Sequence, residues 1–460
     1  MAALSDKLRD LEQIVGPANL LTATEAVSQY RLEGQQPLAV ASPRTPEEVA
    51  SVLRHASESG LSVLLRGAGR HMHLGAVPGP IGVLAPLNRL DRILDFDHEN
   101  LTITAQAGVT LAALQQTAAQ RGQMLPLDPP GGDAATIGGI AATNLAGPLR
   151  MRYGAPRDLV IGLRVALADG TLVKTGGKTV KNVAGYELTK FFVGSFGTLA
   201  AICEVTVRLT PLPEARAMVM AALPPERAGE VARKLLASRL EIACLSICNR
   251  AALERMRLPL RVNIEGDTQI LFAGLMGDST AVDRQQREIK QMVGAECAVL
   301  SDDQAGQVWQ ATGEAVYPRG ATDVIVRASA PISETAGLLK LAAGWEGWWA
   351  LARPGDGAVY AGSNLTAFPL SARGEGAMTT DSAIQGKRGE RLLGVIERLG
   401  EIRAATEAVG GYAVLEAGDP ELKRGFGVWT QSPNVDLMRR LKESYDPRGI
   451  LGGGRYLAGL

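Results

Sequence analysis

The residues best placed to do chemistry in this chain are glycines, and they come in ordered loops. From Asp128 the sequence runs D-P-P-G-G-D-A-A-T-I-G-G-I-A-A-T-N-L-A-G, and R-Y-G-A-P-R-D follows from Arg152. T-G-G-K-T-V-K-N-V-A-G-Y-E-L-T-K begins at Thr175 and G-S-F-G-T-L-A-A-I at Gly194. A shorter loop of the same character, R-G-A-G-R, occupies residues 66–70. Glycine has no β-carbon and tolerates positive φ, so such loops let a backbone come close to a flat, polyanionic ligand. Consecutive backbone N–H groups in them form a concave anion site suited to a pyrophosphate. The pattern points to a cofactor site.

Several simpler readings fail on spacing. Gly67-Ala68-Gly69 starts like a dinucleotide fingerprint, but Met72 stands where the third glycine belongs, and histidines follow. Gly177-Lys178-Thr179 imitates the end of a phosphate-binding loop, yet Leu172 replaces its first glycine. Ser195 has Val193 and Gly197 two residues to either side, so it is no nucleophile elbow. The four histidines, His55, His71, His73 and His98, all precede residue 99, which leaves the second half without an imidazole base. Cys203, Cys244, Cys248 and Cys297 lack C-x-x-C spacing and read as buried thiols of a reducing compartment, with no metal site.

The elements that must carry these loops are legible in the first half. Thr45 and Glu48 form a capping box around Pro46, Val49, Val52, Leu53 and Ala56 make an apolar stripe, and Gly60 ends the helix. Strands are expected at 61–66, 81–87, 92–96, 101–107 and 198–209, with a Thr110-capped helix running to Gly122. Residues 159–174 read as a hairpin turning at Asp169-Gly170, and 186–193 as a short helix. Pro211 and Pro213 mark a domain boundary. Beyond it, helical patterns near 225–238 and 281–293 alternate with strand-like runs at 242–248, 268–275 and 322–329, an α+β layer. Residues 372–390 read as a polar, Gly-rich loop, and 434–444 as a helix before a closing tail.

Composition sets limits on partners. The 460 residues suggest roughly two or three domains. Lys+Arg and Asp+Glu number 48 each, so no net field recruits nucleic acid or anionic lipid. No apolar run is long enough for a transmembrane segment, and the first residues form an amphipathic helix with Leu4, Leu8, Leu11 and Val15 on one side.

The ordered succession of R-G-A-G-R (66–70), D-P-P-G-G (128–132), A-T-I-G-G (135–139), A-T-N-x-x-G (142–147), R-Y-G (152–154) and G-T-L-A-A-I (197–202) resembles the flavin-binding fold of the vanillyl-alcohol oxidase (PCMH) type. Within that fold the segment from Gly176 to Leu199, with V-W-T at 428–430 and the tail Y-D-P-R-G-I-L-G-G-G-R, resembles the FAD-binding subunits of bacterial glycolate oxidase (glycolate dehydrogenase). The resemblance implies an α+β architecture: an N-terminal helical segment (1–36), a two-subdomain FAD-binding domain (37–213), an α+β substrate or cap-like domain with an antiparallel sheet (214–425), and a tail (426–460) returning to the FAD domain. It implies FAD held by Arg66, Gly67, Ala68, Gly69 and Arg70 in the first loop. In the second loop it implies Pro130, Gly131, Thr136, Gly138, Gly139, Thr143, Asn144 and Gly147, with Lys181, Asn182 and Ile202 beyond. The histidine that some members of this fold attach covalently to the flavin falls at Arg70, so the FAD is expected to be non-covalent, with His71 and His73 as alternative attachment points.

Oxidising a 2-hydroxy acid needs a base for the hydroxyl proton and a cation for the carboxylate. Tyr186, Lys190 and Arg327 are the candidates, since the chain has no H-G-D-G-N segment of the kind carried by self-sufficient members of the fold. The resemblance therefore implies a cytoplasmic flavin subunit acting with a catalytic FAD subunit and an iron–sulfur subunit, any membrane association being peripheral and through them. The alternative is a stand-alone dehydrogenase or oxidase of a small 2-hydroxy acid such as D-lactate, or of a polyol. The Trp345/Trp348/Trp349 cluster is a candidate docking surface for a partner, or else a corner of the core.

Overall fold

A computed structural model describes residues 2–177, 187–259, 266–294, 297–366 and 380–460. The chain divides into two compact units. The first comprises Met1–Gly147, Tyr153–Leu212 and Gln431–Leu460, and the second Pro148–Arg152 and Pro213–Thr430.

The first unit contains two main sheets. Val83–Pro86 lies between Ala39–Ala41 and Val63–Arg66 and runs parallel to both, and Leu20–Leu21 closes one edge. The parallel pairing needs crossovers, and the helix Pro46–Ser59 supplies one. Its Thr45 hydroxyl accepts from Glu48 N at 3.1 Å, while the Glu48 carboxylate accepts from Arg44 N at 2.7 Å, one residue before the position a reciprocal box would use. Gly60 ends it at φ 66°. Val49, Val52, Leu53 and Ala56 are all buried, each large side chain contributing about 1.5–3 kcal/mol. The N-terminal helix Ala2–Val15 packs in the same core through Leu11 and Val15.

The second sheet is antiparallel, in the order Ile93–Asp97, Thr102–Gln106, Ala201–Arg208, Val160–Ala166, Leu172–Gly176. Its last hairpin turns at Asp169-Gly170, with Gly170 at φ 84°. The strand expected from Thr198 starts at Ala201, because Thr198 is still held in the preceding turn by a bond from its N–H to the Ser195 carbonyl at 3.0 Å. The tail joins the parallel sheet: Val63 N donates to Ile450 O at 2.7 Å, and Gly452 N donates to Val63 O at 3.0 Å. Lys442, on the helix Val435–Tyr445, secures it by donating to Asp446, Leu451 O and Thr198 O, all within 2.8 Å.

The second unit is an antiparallel sheet of eight strands. Their order is Cys297–Leu300, Ala215–Leu223, Gln269–Gly277, Ile242–Cys248, Trp349–Arg353, Ala358–Asn364, Asp323–Ser329, Tyr412–Ala417. Val219, Leu271, Leu245, Ala350, Val359, Val326 and Leu415 alternate onto one face and share a core with the helices Pro225–Ala237, Ser279–Val293, Thr335–Ala343 and Thr380–Ala408.

Two expectations are corrected here. The tryptophan cluster is no docking surface: Trp345, Trp348 and Trp349 are 6%, 2% and 6% exposed. Trp345 and Trp348 meet edge to face at 5.2 Å, and Trp349 fills the space that a β-carbon on Gly362 would occupy, 2.4 Å from the ring. The Gly-rich stretch ends sooner than expected, since Thr380–Ala408 is one helix; buried Val395, Leu399 and Ile402 recur at helical spacing along it. Residues 372–379 lie outside the described residues.

Candidate functional site

Strand Val63–Arg66 delivers the first glycine loop to a cavity of about 90 Å³, open to solvent, within the first unit. Gly69 turns the chain at φ 82°, and a β-carbon there would lie 2.6 Å from the Arg66 guanidinium, which folds back beside it. The same guanidinium stacks 5.2 Å above the Tyr30 ring. Arg70 turns the other way, its Nε donating to Gly131 O at 3.0 Å.

The second loop enters as the short helix Ile137–Thr143. Thr136 caps it, accepting from Gly139 N at 3.3 Å, and Thr143 Oγ1 donates back to Gly139 O at 2.9 Å. The two loops touch: a β-carbon on Gly67 would sit 2.2 Å from the Thr136 hydroxyl. Gly138 serves the scaffold, since its β-carbon would meet Ala107 Cβ at 2.5 Å and its N–H donates to Ala107 O at 2.9 Å. At Gly139, which lines the cavity, a β-carbon would meet Thr136 Oγ1 at 3.2 Å, a tight contact with the hydroxyl that caps its own helix.

Two further segments complete the walls. The turn Gly194–Gly197 is anchored to the end of that helix by Gly194 N donating to Ala141 O and Phe196 N to Ala142 O, at 2.9 and 2.8 Å. Phe196, Gly197 and Ile202 line the cavity, as does Arg455 from the tail. Arg455 is 6% exposed and donates to the Met72 and Leu74 carbonyls. Burial pushes its pKa down to about 10, Glu33 acting in the opposite sense, so it stays cationic at neutral pH. Its Nε, also buried, has no hydrogen-bond partner among the described residues.

The structure thus brings Arg66, Gly67, Ala68, Gly69, Arg70, Thr136, Gly138, Gly139, Thr143 and Ile202 to one cavity. Other residues chosen from the sequence support it from behind. Pro130 O accepts from His71 Nε2 at 2.7 Å, and Gly131 O accepts from Arg70. Asn144 caps the helix in the left-handed region at φ 52° and accepts from Arg157 N. Gly147 is a packing position, because a β-carbon would lie 1.8 Å from Asp128 O. Lys181, Asn182 and Tyr186 lie outside the described residues. Lys190 is paired with Glu187 at 2.8 Å and is not among the lining residues of this cavity. Arg327 belongs to the second unit, where Glu416 already holds it at 2.6 Å; burial opposes its charge, but Glu416, Tyr360 and Tyr412 outweigh burial and raise its pKa. A substrate carboxylate would have to displace that partner.

Sequence reasoning missed Arg455, Phe196 and the part played by His71. The signal for Arg455 was the arginine closing G-G-G-R, which a contact map brings to the first loop and a linear reading does not. His71 lines the cavity and is buried. Because a carbonyl only accepts, its bond to Pro130 fixes the proton on Nε2 in the neutral ring.

Charge decides what the cavity takes. Among the described residues three arginines line it, and no aspartate or glutamate does. Arg455 is buried and Arg66 half-buried, cations drawn out of water favour a bound anion, and the loops offer backbone N–H groups beside them. A diphosphate satisfies both.

His71 gives a pH signature. Burial, helped by Arg70, lowers its pKa below the usual 6.5 despite the Pro130 bond. The unfolded chain then binds more protons than the folded one once the pH falls through 6.5, so stability is full above that value and is lost as the pH drops toward the folded pKa. The ligand-free protein should therefore lose unfolding free energy as the pH falls below about 6.5, and His71→Gln should flatten this segment in urea unfolding. An unchanged slope in the variant would show that His71 is solvated and ordinary.

The comparisons agree with this geometry. The family described as FAD binding domain matches residues 37–176. The chain is 28% identical to glycolate oxidase subunit GlcD of Bacillus subtilis, over 98% of this chain and 97% of that one. It is 30% identical to an FAD-linked oxidoreductase of Mycobacterium tuberculosis, over 98% of this chain and 99% of the other. Among solved structures, p-cresol methylhydroxylase with substrate bound superposes with a TM-score of 0.72 at 16% identity, covering 99% of this chain and 97% of that one. With its cavity, its two glycine loops and full-length relatives in agreement, the chain belongs to the FAD-linked oxidoreductase family and is an FAD-dependent enzyme with a PCMH-type fold.

Proposed function

We propose that this chain is the FAD-binding subunit of a glycolate-oxidising complex, taking glycolate or a closely related small 2-hydroxy acid to the 2-oxo acid and passing the electrons to its partners. The observation that carries the flavin part is the acid-free cavity lined by Arg66, Arg70 and Arg455 between two glycine loops. Full-length similarity to a glycolate oxidase subunit supports the substrate class and the complex.

The bound flavin supplies the two-electron acceptor for the carbon–hydrogen bond that is oxidised. The chain's own residues do the rest of the work. The N–H groups of Gly67, Ala68 and Gly69 would hold the diphosphate, with Arg66 and Arg455 balancing its charge. Arg70 and His71 clamp the first loop to the Pro130–Gly131 carbonyls, so the loop amides stay convergent without the ligand. Phe196, Leu65, Leu87 and Ile202 exclude water from the apolar end of the cavity.

Electron exit supports the complex. Cys203, Cys244 and Cys248 are buried in their respective cores and Cys297 is half-buried, and burial pushes the Cys203 and Cys248 thiols up to about 12. Such thiols are inert, so they offer no relay within the chain. The acceptor is therefore assigned to a partner.

Three outcomes test this reading. Arg455→Met should weaken FAD binding at least about tenfold, the loss of one charge-assisted contact, whereas Arg455→Lys should retain most of it; FAD affinity equal to wild type in the Met variant would remove Arg455 from the site. Acid precipitation should release all the flavin into the supernatant, since His71 is committed to Pro130; fluorescence remaining on the denatured chain would show a covalent bond. Dye-linked oxidation of glycolate and D-lactate should be slow with the isolated chain and rise when the products of neighbouring genes are co-expressed. Rapid turnover by the chain alone would replace the complex with a self-sufficient dehydrogenase.

A further inference from the structure

The first unit holds a second cavity, of about 250 Å³, on the other side of the turn that walls the flavin site. Phe196 and Gly197 line the flavin cavity, whereas their neighbours Ser195 and Thr198 line the second one. Gly194, Phe196 and Gly197 all sit in the left-handed region, at φ 83°, 56° and 70°. For a phenylalanine that conformation costs free energy and must be held by its surroundings. It is held by the bond from Phe196 N to Ala142 and by the Tyr456 ring, whose centroid lies 5.5 Å from that of Phe196. Tyr456 itself lines the second cavity. One pair of stacked rings thus stands between the two.

The second cavity has its own chemistry. Phe191, Leu199, Met438 and Leu441 give it apolar walls. Arg157 and Lys190 supply positive charge. Lys190 is shared with Glu187, but among the described residues the Arg157 guanidinium has no carboxylate or hydrogen-bond partner. Ser195 is 6% exposed, and its hydroxyl has no partner among the described residues. A buried hydroxyl left unpaired costs about 1–3 kcal/mol, which a ligand acceptor would recover. Lys442 is excluded as a ligand group, because Asp446 and two carbonyls take up its donors.

We propose that this cavity is a second ligand site, for a small organic anion with a flat apolar body, and that its occupancy is felt at the flavin through the Tyr456–Phe196 contact. The anionic group meets Arg157 and the Ser195 hydroxyl. The apolar body lies against Phe191, Leu441 and Tyr456. Displacing the Tyr456 ring shifts Phe196, and with it the apolar wall of the flavin cavity.

The probe is 1-anilinonaphthalene-8-sulfonate, titrated into FAD-loaded protein and read by its fluorescence and by the flavin absorbance band. One saturable site per chain is expected, with the flavin band shifting in step. N-phenyl-1-naphthylamine, the uncharged counterpart, should bind at least about fivefold more weakly, and Arg157→Gln should cost the sulfonate about the same factor. Leu441→Trp, which fills the cavity, should abolish binding while the FAD content stays at one per chain; Met438→Trp serves if that variant loses FAD. Tyr456→Leu should bind the probe and leave the flavin band still. Equal binding of the two probes, or binding unchanged in both filled variants, overturns the site. A saturated site with no movement of the flavin band in wild type overturns the coupling.

Discussion

A β-carbon on Gly67 would lie 2.2 Å from the Thr136 hydroxyl and one on Gly138 2.5 Å from Ala107 Cβ, both inside contact distance. The two loops converge on a common cavity because those positions carry no side chain. Everything else in the first unit is arranged around that approach. Strand Val63–Arg66 aims the first loop, the antiparallel sheet offers Ala107 as a floor for the second, and the tail docks beside Val63 and brings Arg455 across. The glycines divide into two kinds. Gly139 lines the cavity and sits close under the Thr136 hydroxyl, while Gly138 and Gly147 let protein segments meet each other.

Electrostatics then selects the ligand. Burying Arg455 costs desolvation, visible as a pKa pressed down to about 10, and its carbonyl partners offset part of it. A buried cation is costly in isolation and is favoured by a bound anion. The second unit handles the same problem within the protein: Arg327 is held by Glu416, and Arg255 by Asp323 at 3.2 Å. Those arginines are structural pairs. The ones at the flavin cavity line a wall that, among the described residues, carries no aspartate or glutamate.

Much of this was legible in the sequence where local chemistry set the outcome. The Thr45 cap, the Gly60 stop and the Asp169-Gly170 turn each follow from short-range rules, and the strands around them formed within a residue or two of expectation. The ordered loops identified the cofactor. What the sequence hid was decided by tertiary packing. Trp345, Trp348 and Trp349 read equally as a docking patch or a core corner in the linear sequence and are core, with Gly362 leaving room for the Trp349 ring. Asn144 caps a helix in the left-handed region and Gly147 lets Asp128 O approach, roles that only the folded chain displays. Arg455 is nearly four hundred residues from the loop it completes. Arg327 reads as a free carboxylate-binding cation until Glu416 is placed beside it.

On the proposed reading the diphosphate, held by the loop amides together with Arg66 and Arg455, supplies most of the cofactor's affinity. Equilibrium titration of the deflavinated chain with FAD and with riboflavin, which lacks phosphates, tests it most directly. Three charge-assisted contacts at about 1.5–3 kcal/mol each imply that FAD binds roughly a thousandfold tighter or more, and that the difference shrinks as salt is raised. Riboflavin binding as tightly as FAD would contradict the account and place the affinity in the ring pocket instead.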